Sequence, residues 1–323
     1  MRVATIDIGT NSVLLLVAEV ESDRGDALRP VLERATVTRL GEGVDRNRRL
    51  LDAACERTLS CLSKYAADLR ELGVTRLDAV GTSAMRDAAG GEEFVARAAQ
   101  VLGVAPRVID GNEEARLTFA GALSGLRELP DSGPVTVFDI GGGSTEIVVG
   151  ARDAHERRIA SAVSLDIGSV RLFERHVTTD PPNQAALDLV ERDIQSALAH
   201  APRPAALGAG ATLVGVAGTV TQLAALELEL TRYDGTRVHG YTLTRDAVER
   251  LASRLASLDV SQRRALPGME PSRADVIVVG SAIARAVLQW SGATELVVSD
   301  RGVRWGLAEE LARQHVAHAS PAS

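Results

Sequence analysis

The chain has 323 residues, 45% of them hydrophobic and 24% charged, with a net charge of −7 and a pI near 5.5. This is a globular composition, long enough for two domains that each bury a core. The acidic balance argues against a nucleic-acid binder, and no apolar run reaches the roughly 18 residues of a membrane span. The first residues enter a strand where a secretory leader would be basic and then apolar, so a cytoplasmic protein with no membrane partner is expected.

Residues 2–18, RVATIDIGTNSVLLLVA, read as strand, glycine turn and strand. A third strand is predicted over 28–40, followed by the turn GEGVDRN at 41–47. A helix is predicted over 50–72, with Leu51, Cys55, Leu59, Leu62, Leu69 and Leu72 at three- and four-residue steps and Gly73 as its stop. Cys55 and Cys61 lie six apart in it and are expected to be reduced thiols serving as small apolar residues. Lys64 is the only lysine of the chain, which excludes a Walker A loop and a Schiff-base mechanism.

A strand over 76–80 runs into GTSAMRDA at 81–88, a small-residue loop ahead of a helix over 91–102. Such a loop favours anions. Arg86 within it suits a phosphate clamp, given the neighbouring loop, ahead of the blander surface pair with Asp87 or Glu92. Strand 106–110 leads into GNEEARLTFAGAL at 111–123, where Glu113 and Glu114 open a helix whose dipole tolerates negative charge. Residues 124–133 read as a linker, giving domains 1–125 and 126–301.

Directly after the linker comes PVTVFDIGGGSTEIVVG at 134–150. Setting Asp7 over Asp139 aligns DIGTNSVLLLV with DIGGGSTEIVV position by position. In each copy an apolar strand ends in a carboxylate, and glycines let the backbone bring its N–H groups to an anion. Thr10, Ser12, Ser144 and Thr145 add hydroxyls. An aspartate beside a phosphate calls for a divalent cation between them, so each is a candidate Mg²⁺ anchor. A dinucleotide fingerprint is excluded because a strand, and not a helix, follows each turn.

The second half repeats the alternation. Strand 159–165 ends in LDIGSVRL, and helix 184–199 carries Leu187, Val190, Ile194 and Leu198. A Pro/Gly loop spans 200–210, and LVGVAGTVTQLAAL at 213–226 reads as strand, Gly-Thr turn and helix. Helix 245–258 has Val248, Leu251, Leu255 and Leu258 on one face. Residues 276–288, VIVVGSAIARAVL, read as strand, glycine turn and helix, and LVVSD at 296–300 precedes a last helix over 302–315 and a frayed tail.

Two such hairpins, each followed by strand–glycine–helix units, resemble the duplicated actin-like ATPase (ribonuclease H-like) α/β fold. More narrowly, DIGTNS (7–12), RLGEGV (39–44), GTSAMRDA (81–88), GNEEARL (111–117), DIGGGSTEIVVG (139–150), LDIGSVRL (165–172), GVAGTVTQLAAL (215–226), RADVIVVG (273–280) and VSDRGVRWGL (298–307) resemble the exopolyphosphatase / guanosine-pentaphosphate phosphohydrolase (Ppx/GppA) family, in order and nearly end to end. The resemblance implies an active site in an interdomain cleft. It implies phosphate-facing turns at Asp7, Gly9, Thr10, Asn11 and Ser12 and at Gly141, Gly142, Gly143, Ser144 and Thr145, with Arg86 reaching the anion. It implies a general base at Glu114, or else Glu113, and acidic Mg²⁺ positions at Asp139 and Glu146, with Mn²⁺ as an alternative metal. It further implies that helix 302–315 packs back on the first domain and that the chain forms a homodimer.

The expected activity is Mg²⁺-dependent removal of the terminal phosphate of inorganic polyphosphate, with conversion of pppGpp to ppGpp as the second reading. The matched motifs do not include the appended helical domains of longer members, which favours short chains or pppGpp. A kinase of this fold and a non-catalytic polyphosphate- or nucleotide-binding regulator are the alternatives from other classes. Hydrolysis needs an in-line water, a carboxylate to take its proton and donors to hold the spreading charge. His239, in RVHGY, suits either a substrate contact or a structural role.

Overall fold

The structure is a computed structural model that describes residues 1–21, 27–126, 129–130, 132–153, 157–202 and 211–319. It divides into two compact units, Met1–Gly121 with Val303–Ser323, and Ala122–Gly302.

The first unit runs β1 (Arg2–Ile8), β2 (Ser12–Val20), β3 (Leu28–Val37), α1 (Val44–Asn47), α2 (Asp52–Glu71), β4 (Arg76–Gly81), α3 (Ser83–Asp87), α4 (Gly91–Leu102), β5 (Arg107–Val108) and α5 (Gly111–Ala122). The second runs β6 (Gly133–Ile140), β7 (Thr145–Arg152), β8 (Arg157–Leu165), α6 (Ser169–His176), α7 (Gln184–Leu198), β9 (Thr212–Val216), α8 (Ala217–Glu227), α9 (Gly235–Val238), β10 (Thr242–Thr244), α10 (Arg245–Ser257), α11 (Val260–Arg264), a 3-10 turn (Pro271–Arg273), α12 (Ile277–Ser291) and β11 (Glu295–Val298). The chain then returns to the first unit as α13 (Val303–Ala319).

The sheets are ordered β3-β2-β1-β4-β5 and β10-β11-β9-β6-β7-β8. In each, three antiparallel strands are followed by strands parallel to the first, β4 on β1 and β9 on β6. The second sheet repeats the first with β10 added, which is the duplicated actin-like α/β architecture.

Strand alternation sorts the first unit's core. Ala4, Ile6, Ile8, Val13, Leu15 and Val17 pack with Leu59, Leu62, Tyr65 and Phe94 of α2 and α4. Val3, Leu16 and Ala18 face the other way, onto Trp305 and Ala308 of α13. Each such side chain, fully buried, contributes roughly 1.5–3 kcal/mol. Helices therefore cover both faces, which is why β1 reads as a nearly continuous apolar run. Cys55 and Cys61 are buried free thiols in this core.

Several expectations need correction. The turn at 41–47 contains the single helical turn α1, and the loop at 81–88 contains α3. β5 has only two residues. The run 276–288 holds no strand: Ile277–Ser291 is one helix, largely apolar and buried, with Arg285 and Gln289 along a narrow wetter edge. A helix buried over most of its circumference needs only a narrow polar edge, so its Val-rich start imitates a strand. A side-chain carbon at Gly280 would come within 2.7 Å of Thr219 Cγ2, so glycine lets α12 close on α8. The linker residues 127, 128 and 131, residues 203–210 of the Pro/Gly loop and tail residues 320–323 lie outside the described residues. The last helix continues past 315 to Ala319.

Candidate active site

The two hairpin turns share one hydrogen-bond pattern. Gly9 N–H donates to Ser12 O and Gly141 N–H to Ser144 O, both at 3.0 Å. In the first turn Thr10 O accepts from Gly41 N–H at 2.9 Å, and Asn11 O accepts from Thr38 and Arg39 N–H at 3.0 Å. In the second, Gly141 O accepts from Ser169 N–H at 3.0 Å and Gly142 O from Val170 N–H at 2.9 Å and Arg171 N–H at 3.0 Å. Gly143 O accepts from Arg171 Nε at 2.6 Å. The C=O and N–H of a trans peptide point in opposite directions. Tying each carbonyl to its own neighbour therefore turns the N–H groups of Asn11 and Ser12, and of Gly142, Gly143 and Ser144, away from it. Such an array is what an anion binds.

Arg171 was not singled out by the sequence reading, although LDIGSVRL contains it. It is 8% exposed and holds the second turn from behind. At Gly168 a side-chain carbon would overlap the Gly142 carbonyl, so only glycine lets α6 dock there.

Two hydroxyls are bonded within the protein. Thr145 Oγ1 donates to the Ile167 carbonyl and is fully buried. Thr10 Oγ1 shares a 2.7 Å bond with Ser83 Oγ, tying the first turn to α3. Asn11 is 6% exposed, and its buried Oδ1 has no hydrogen-bond partner among the described residues.

The two glutamates separate sharply. Glu114 is 7% exposed, with Oε2 3.2 Å from Arg86 NH1, which also donates to Ile109 O at 3.0 Å. Arg86 thus pairs with Glu114, and at 3.5 Å with Asp87, rather than with Glu92. Glu113 points elsewhere: its carboxylate takes Arg107 NH1 at 2.8 Å, and its N–H is capped by Asp110 Oδ1 at 2.8 Å. It lines a separate groove of about 690 Å³ with Asp78, Arg107 and Glu310. For Glu113, the capping explanation accounts for its position.

Asp7 ends β1 opposite Leu14, whereas Asp139 ends β6 opposite Glu146. Glu146 is 1% exposed and accepts from Ser164 Oγ at 2.7 Å. Like charges directly opposite across strands repel, and a cation between them relieves this. Among the described residues no group of three or more His, Cys, Asp or Glu could hold a metal ion. Two carboxylates suit a hard cation such as Mg²⁺, which takes one or two carboxylates and completes its shell with phosphate oxygens and water.

Two further motifs meet at Gly218, which packs against the Arg273 guanidinium at the start of α8, where Ala217 has a left-handed φ of 67°. His239 Nδ1 lies 3.4 Å from both Ser299 Oγ and Asp300 Oδ1 at the end of β11, in a half-buried polar cluster.

The Ppx/GppA phosphatase family profile matches residues 16–315. Exopolyphosphatase 2 of Mycobacterium tuberculosis is 39% identical over 323 residues, covering 96% of this chain and 98% of that protein. Among solved structures, an exopolyphosphatase-like protein superposes with a TM-score of 0.89 at 35% identity, covering 98% of both chains. The Ppx/GppA family member of Aquifex aeolicus does so with a TM-score of 0.77 at 34% identity, covering 97% of this chain and 98% of that one. The fold and its paired turns thus define a phosphoanhydride hydrolase by family. The chain belongs to the Ppx/GppA phosphatase family. Among the described residues no helix is long and apolar enough to cross a membrane.

Proposed function

We propose that the chain is an exopolyphosphatase that hydrolyses the terminal phosphoanhydride of inorganic polyphosphate and releases orthophosphate. The observation that carries the residue assignment is the burial of Glu114 against Arg86, with Glu113 committed to Arg107 and its cap. Arg86 orients the Glu114 carboxylate, which takes a proton from the attacking water as the new P–O bond forms. The outward N–H groups of the two turns bind phosphate oxygens, and the unpartnered Asn11 Oδ1 supports a polar occupant beside the first turn. Mg²⁺, or Mn²⁺, held by Asp139 and Glu146 would neutralise charge on the phosphate oxygens. The relatives named exopolyphosphatase support polyphosphate as the substrate. A cytoplasmic homodimer completes the reading.

Phosphate release with Mg²⁺ from polyphosphate, pppGpp and ATP, measured side by side, tests this. Glu114→Gln should lower turnover by about 10²–10⁴-fold, the usual worth of a general base, while Glu113→Gln stays within about threefold. Equal loss in both variants, or full activity in Glu114→Gln, would sink the base assignment. Faster release from pppGpp than from polyphosphate would transfer the assignment to the nucleotide. Binding without release from any substrate would identify a regulator.

A further inference from the structure

The chain carries 36 basic against 43 acidic residues, and many of its described arginines sit against a carboxylate, as Arg34 does with Asp68 and Arg57 with Glu42. Arg46, Arg48 and Arg49 do not, and they cluster within four residues. All three are exposed, and among the described residues none forms an ion pair.

Their backbone is fixed. Arg48 has a φ of 51°, unusual outside glycine, and its N–H donates to Val44 O at 2.8 Å. Ala89 N–H donates to Arg48 O at 2.9 Å, Leu50 N–H to Ala89 O at 3.0 Å, and Arg49 is bridged to Ala89. Ala89 follows Arg86 by three residues, so their Cα atoms lie within about 11 Å. The run is therefore pinned beside the arginine that touches Glu114, within one unit.

We infer that Arg46, Arg48 and Arg49 form a subsite for the internal phosphates of a long polyphosphate chain whose terminal phosphate is cleaved at Glu114. This rests on the exopolyphosphatase reading. Guanidinium groups suit phosphate oxygens, and solvent-exposed ones track a repeated charge without selecting a base or sugar. A single-stranded nucleic acid is disfavoured, since aromatic residues, on which its bases would stack, make up 3% of the chain.

The test compares tripolyphosphate with long-chain polyphosphate in the triple variant Arg46→Ser, Arg48→Asn, Arg49→Ser, asparagine being chosen because it tolerates the left-handed backbone. The KM for the long chain should rise by about tenfold or more at low salt and lose much of its salt dependence, as expected when phosphate-neutralising cations are removed. The kcat and the tripolyphosphate KM should stay within about twofold, and the triple Arg→Lys variant should restore the long-chain KM to within about threefold. An unchanged ratio of long- to short-chain KM overturns the subsite. If the unaltered protein releases no phosphate from either chain, the exopolyphosphatase reading fails instead. Direct binding of fluorescently labelled long polyphosphate then tests the subsite, and equal affinity of the unaltered and triple-variant proteins overturns it.

Discussion

Arg171 contributes to the second turn without facing the ligand side. Its Nε bond to Gly143 O engages the peptide whose N–H belongs to Ser144, and a charged donor behind a peptide strengthens the N–H in front. Arg171→Met should raise the KM for polyphosphate about tenfold more than it lowers kcat, with Arg171→Lys in between. Steady-state kinetics checks this, and an unchanged KM would leave Arg171 a purely structural residue. The glutamates teach the same lesson. Adjacent residues on a helix point about 100° apart, so Glu113 and Glu114 cannot both face the same partner. EEAR spells both alike; the Arg86 guanidinium on one side and Arg107 on the other distinguish them.

At the scale of elements, hairpins and amphipathic helices were legible, and one largely buried helix was not. Alternating apolar residues and a glycine turn located β1–β2 and β6–β7, because period-two alternation and turn chemistry are local. The buried helix α12 has no such local mark, since its strand-like Val276–Val279 run is resolved only by what surrounds it. Its closest approach gives a prediction: Gly280→Val would drive methyl groups into Thr219, which is 5% exposed and has little room to yield. Stability should fall by about 2–3 kcal/mol, seen as a lower urea midpoint, and an unchanged midpoint would refute the tight packing.

For the whole molecule, the notable feature is that the first unit is discontinuous. β1 and β2 are covered on one face by α13, almost 300 residues later, with Thr5 Oγ1 donating to Arg304 O at 2.8 Å. Trp305, 1% exposed among Val3, Leu16 and Ala18, anchors that return. Trp305→Ala should cost about 3–5 kcal/mol and expose β1–β2, measured by thermal melting together with hydrogen exchange of Val3 to Ala18. A small effect, or protection lost elsewhere, would show that α13 is dispensable to the sheet.

By itself the sequence determined the duplication, the two turns, the acidic residues that close β1 and β6 and the motif set of the Ppx/GppA family, because these depend on local periodicity, glycine placement and residue order. Tertiary structure alone decided which glutamate turns inward, that the Thr145 hydroxyl serves a carbonyl, that Arg171 braces a turn 28 residues away and that three arginines stand without carboxylates. Each of those depends on partners distant in sequence, whose approach is set by packing and not by any local pattern.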